Sequence, residues 1–140
     1  MDGIRSASLL LLLTILSACS SKSSSDELAK ELKTVKSWTA TAHLVGNTWM
    51  RGDVPTAYAK RTLSKTQKEL QNELNNLSQK APVQNRTTLV VQLQRLQGTV
   101  EQMSKAVEQK DARAMQRQIQ QLSAQEQSIS NLAKTAGVHL

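Results

Sequence analysis

The side chains able to do chemistry are few in this 140-residue chain. Its two histidines, His43 and His139, lie far apart, and no His-x-x-x-His or Glu-x-x-His spacing sets two metal ligands on one helical face. Glycine-rich phosphate loops and a Gly-x-Ser-x-Gly elbow are missing. Glu69 and Glu73 stand one turn apart, but beside Lys65 and Lys68 they read as surface ion pairs. These residues do not assemble a catalytic group, and the chain reads as a non-enzyme.

A ligand held between helices is the other chemistry to weigh. Met50, Met103 and Met115 are possible sulfur ligands for a haem, and His43 and His139 possible nitrogen ligands. Covalent haem attachment needs a Cys-x-x-Cys-His run that is not present. His43 falls about a hundred degrees from the stripe centred on Ala42, at the edge of the apolar face. His139 follows the glycine that ends the last helix. The methionines fit core seams and read as filler. No cofactor is therefore expected, and the alternative of a small-molecule carrier rests on the small residues Thr39, Ala42 and Gly46.

The feature that stands out is a cluster. All three aromatics, Trp38, Trp49 and Tyr58, fall within one short stretch, and basic residues gather near them and near a later turn: Arg51, Lys60, Arg61, Lys110, Arg113 and Arg117, against Asp53 and Asp111. Aromatics at a partly open turn suit partner contact, and a basic surface attracts anionic partners.

These residues need elements to carry them. With no phenylalanine, five glycines and two prolines, the composition suits long helices with Leu, Val, Ile, Ala and Met in the core. Leu28, Leu32, Val35, Trp38, Ala42, Val45 and Trp49 step by three or four along a first segment, which Ser25 or Asp26 can cap. Gly52-Asp53-Val54-Pro55 ends it. Ala59, Leu63, Thr66, Leu70, Leu74 and Leu77 mark a second segment, and residues 78–84, containing Pro82, read as a loop. Leu89, Leu93, Leu96, Val100, Met103 and Val107 mark a third. Met115, Ile119, Leu122, Ile129, Leu132 and Ala136 mark a fourth, with Asp111 as its N-cap and Gly137 at its C-terminal cap. Glutamine is abundant on the polar faces of the last two segments and reads as solvated surface. Short connections predict an all-α, antiparallel four-helix bundle of up-down-up-down topology, with hairpins dimerising through their seams as the alternative. In the bundle both basic turns share one end, ~35 Å from the base.

What precedes the helices differs in kind. An apolar run from Ala7 to Leu16, too short to span a bilayer, leads into Leu16-Ser17-Ala18-Cys19. This tetrapeptide resembles the lipobox of bacterial lipoproteins, in which a diacylglycerol is attached to the cysteine sulfur and signal peptidase II cuts before it. The n-region departs from the pattern in carrying Asp2 beside Arg5. Cys19 is the only cysteine, so no internal disulfide can form. The resemblance implies a signal peptide over 1–18, a lipidated Cys19, and a flexible serine-rich tether over 19–25 ahead of a helical domain over 26–137. In a Gram-negative host, the serine after the cysteine is similar to the sorting context of lipoproteins on the periplasmic side of the outer membrane. Loss of residues 1–18 removes Asp2 and Arg5, so the formal charge stays at +7. Nucleic acid is not an expected partner on that export route.

The expectation is thus a lipid-anchored envelope module that docks a protein or anionic partner through a distal tip of Trp49, Arg51, Tyr58, Arg61, Arg113 and Arg117. Self-association into a homo-oligomer is the third alternative.

Overall fold

The computed structural model describes residues 19–81, 83–138 and 140. Residues 1–18, where a signal peptide is expected, Pro82 and His139 lie outside the described residues. Among the described residues four helices carry the fold: α1 (Cys19–Met50), α2 (Thr56–Lys80), α3 (Val83–Glu108) and α4 (Ala112–Thr135). Each packs on the next, and α4 closes back on α1. Across the diagonal α1 and α3 touch only slightly. This is the up-down four-helix bundle.

The apolar spacing decides which faces turn inward. Every apolar position expected to be buried in α2 and α3 is buried. In α4 the core takes Met115, Ile119, Leu122, Ile129 and Ala133, with Leu132 and Ala136 only partly covered. In α1 the buried line runs Leu28, Leu32, Val35, Thr39, Ala42 and Val45. Trp38 and Trp49, expected on that line, pack against its edge instead. Thr39 takes the buried position beside Trp38 and closes its hydroxyl on the Val35 carbonyl at 2.8 Å.

Two boundaries differ from expectation. Helix α1 already includes Cys19, so Ser25 and Asp26 lie within it and not at its cap. Residues 19–25 contain no glycine or proline, and extending a helix that packing has already nucleated is easy, even through serines. Between α2 and α3 only residues 81 and 82 intervene, where a loop over 78–84 was expected. Ala81 is buried and extended, as a residue before proline prefers to be, and its carbonyl accepts from both Nε and Nη2 of Arg86, at 2.9 and 2.7 Å. That bond satisfies the turn without a longer loop.

The other three helix ends share one device. After α1 the Gly52 amide donates to the Trp49 carbonyl and the Asp53 amide to Thr48. After α4, Gly137 donates to Lys134 and Val138 to Ala133. Both glycines have positive φ, as this closing motif requires. After α3 the same pair of bonds runs from Lys110 to Val107 and from Asp111 to Ala106, but the left-handed residue is Lys110, at φ 54°. Asp111 then caps α4 through a 2.8 Å bond from the Ala114 amide. One residue thereby ends α3 and starts α4.

The candidate interaction surface

The α1–α2 and α3–α4 turns lie at one end of the bundle. A 2.7 Å ion pair between Lys60, early in α2, and Glu108, the last residue of α3, joins them. At the other end Lys80 reaches Glu27 at 2.7 Å and Glu31 at 3.7 Å, holding the end of α2 to α1.

The residues expected at the distal tip meet there in unequal states. Trp49 is half-buried, and its indole Nε1–H donates to Thr56 Oγ1 at 3.2 Å, so this ring braces the turn. Arg51 is neutralised by Asp53, with Nε 2.7 Å from Oδ2. Tyr58, Arg61, Arg113 and Arg117 are exposed. Among the described residues no ion pair engages Arg61, Lys110, Arg113 or Arg117. Cys19 is the first described residue of α1, and its side chain lies outside the described residues.

Leu44 is a residue the heptad reading passed over. It lies off the buried stripe and is 65% exposed, while Tyr58 is 55% exposed. Both line a depression of about 150 Å³ with Thr41, Val45, Thr48, Val54 and Thr62, over the α1/α2 seam. On its other flank Leu44 shares a second depression with Ala40, His43, Asn47, Arg51 and Glu126. The signal was legible: Ser37 to Met50 contains no charged side chain, although parts of that helix face solvent.

His43 does meet a hydroxyl and an amide, in an order opposite to that of a hydrolase. The Asn47 amide nitrogen donates both to the His43 carbonyl and to Nδ1, each at 3.0 Å. With Nδ1 accepting, the proton sits on Nε2, which faces Ser123 Oγ at 3.2 Å. The Ser123 hydroxyl in turn donates to the Ile119 carbonyl at 3.1 Å. Donation runs from Asn47 through His43 and Ser123 to Ile119, so the imidazole presents a donor, not a base, to the hydroxyl. The group ties α1 to α4.

Of the small residues weighed for a carrier, Thr39 lines a depression of about 400 Å³ between α1 and α4 with Val35, Ser123 and Ile129, whereas Gly46 opens no space. A Cβ on Gly46 would meet Met103 Cε at 2.8 Å, and Ile119 Cδ1 and Met115 Sδ at 3.1 Å. Ala42 and Thr39 are buried beside it. Met103 and Met115, considered as haem ligands, fill this space. Met50 packs at the core's edge, and His139 lies outside the described residues. Among the described residues, no group of three or more metal-binding side chains assembles. No described helix is long and apolar enough to cross a membrane.

Glu73 corrects the reading of Glu69 and Glu73 as surface ion pairs. It is 8% exposed, and its Oε2 has no hydrogen-bond partner. Burial pushes its pKa up to about 7, helped by the neighbouring Glu31 carboxyl. The interaction with Glu73 holds the Glu31 carboxyl below its ordinary value, Lys80 adding to it. The signal was again present, since Thr66, Leu70, Glu73 and Leu77 step four, three, four.

No family model, curated protein or solved structure matches this chain.

Proposed function

We propose that this protein is a non-enzymatic docking module of the bacterial cell envelope, anchored by lipid on Cys19 and presenting its distal end to a partner. The observation that carries the reading is electrostatic. Arg61, Lys110, Arg113 and Arg117 lie at or near the end formed by the two turns without an ion-pair partner among the described residues, and Tyr58 stands exposed on α2, three residues before Arg61. These four unpaired cations make the end attractive to an anionic surface, and an exposed phenol adds contact area. The lipobox supplies the anchor, so the tip would reach outward from the membrane.

The test separates anchor from tip. Cys19→Ser should move the protein from the membrane fraction to the soluble fraction. Tyr58→Ala combined with Arg113→Glu and Arg117→Glu should abolish cross-links to envelope components while leaving the protein folded and membrane-bound. Unchanged cross-links in the triple variant would end the docking reading.

A further inference from the structure

The α1/α2 seam beside the tip has a more specific chemistry. Leu44 and Tyr58 are the two most exposed large apolar side chains of the described residues, and they share one depression. Contiguous exposed apolar surface of this kind marks a contact that the isolated chain leaves unmade. Thr41, Thr48 and Thr62 in that depression are small enough to let another backbone approach closely.

The backbone chooses the occupant's conformation. Along this seam the walls are helix except at Val54 in the α1–α2 turn, and beyond the first turn of α2 their amides and carbonyls are bonded within their own helices. An added strand would find no row of free main-chain groups to pair with. An occupant must satisfy its own backbone, and a helix does so while laying side-chain ridges into the groove.

Charge chooses the occupant's composition. The α1 side contributes no charged side chain from Ser37 to Met50. The α2 side carries Arg61 and Lys65, one turn apart and exposed, and neither forms an ion pair among the described residues. Lys65 Nζ stands 5.7 Å over the Trp38 ring, which holds the cation beside the groove. A helix in the seam thus meets an uncharged wall on one flank and a cationic one on the other. A second copy of this chain fits poorly, because its net charge of +7 repels its own kind.

We infer that the α1/α2 seam at Leu44 and Tyr58 receives an acidic amphipathic helix from a partner protein, its apolar side on Leu44 and its acids on Arg61 and Lys65. The inference rests on the docking reading above and names the partner's chemistry.

A ¹⁵N-labelled chain starting at Ser20 keeps every residue described as buried, Leu28 being the first of them. It would be titrated with three probes: a helical peptide of leucine and glutamate, the same peptide with lysine for glutamate, and phosphatidylglycerol vesicles. The acidic peptide should shift the amides of residues 41–48 and 58–65, and Leu44→Lys should weaken its binding about tenfold or more. Equal binding of the lysine peptide overturns the proposal. So does response to vesicles alone, or concentration-dependent shifts of the seam with no probe present, which would indicate a second copy. In cross-linked envelopes, loss of cross-links in the Tyr58/Arg113/Arg117 variant but not in Leu44→Lys would sink the seam alone. Loss in neither would sink the docking reading itself.

Discussion

Glu73 of α2 and Glu31 of α1 interact across the seam between the two helices, where burial and that second carboxyl push the Glu73 pKa up to about 7, so that below that value the pair keeps a proton. Two carboxylates cannot share a nearly buried site while both are charged. Lys80 lies 3.7 Å from Glu31 but is itself drawn toward Glu27, so it does not neutralise both.

The pair gives stability a pH dependence of unusual sign. Glu73 titrates at about 7 in the folded chain and near 4.5 when unfolded, so the folded state holds the extra proton between these values. Its contribution is complete below about pH 4.5 and is lost as pH rises to about 7. Glu31, whose value is lowered, works oppositely and only on the acid side. Thermal unfolding should therefore show the melting temperature falling between pH 5 and 7.5. Glu73→Gln should flatten that slope and raise stability at pH 8 by about 1–2 kcal/mol. A wild-type melting temperature that rises over the same interval would contradict the raised Glu73 pKa.

The α3–α4 turn offers a pair of opposite effects. Lys110 occupies a left-handed conformation that disfavours any side chain, so Lys110→Gly should stabilise by about 0.5–1 kcal/mol in urea unfolding. Asp111→Ala removes the bond to the Ala114 amide and should cost about 1 kcal/mol. The two positions sit side by side, and their effects should be read from separate variants before any double variant.

Gly46 is a packing constraint. Gly46→Leu must displace Met103, Met115 and Ile119 and should lower stability by about 1–3 kcal/mol, despite its better helix propensity. Gly98, whose Cβ would meet nothing within 4 Å, provides the control: Gly98→Ala should stabilise by about 0.5–1 kcal/mol.

The sequence by itself determined the four helices, their apolar faces and two of their caps, because these depend on periods of three and four and on local hydrogen bonds. Asp111 and Gly137 act within a few residues of themselves, and both appear where their types predict. The up-down order followed from short connections. Only the tertiary structure decided which side chains at the margins of those faces turn inward. Trp38 and Thr39 are neighbours in the chain, and packing buried the smaller one and left the indole at the edge. Glu73 lies at a heptad position whose burial depends on Glu31 across the seam, a partner forty-two residues away. Leu44 and Tyr58 become one surface only when α2 folds back along α1. Charge pairing was equally non-local at the tip: Lys60 found Glu108 from another helix, leaving Arg61, Lys110, Arg113 and Arg117 as its cations without ion-pair partners among the described residues. Period and capping are properties of one segment. Burial, proton retention and surface charge belong to pairs of segments, and those pairs exist only after packing.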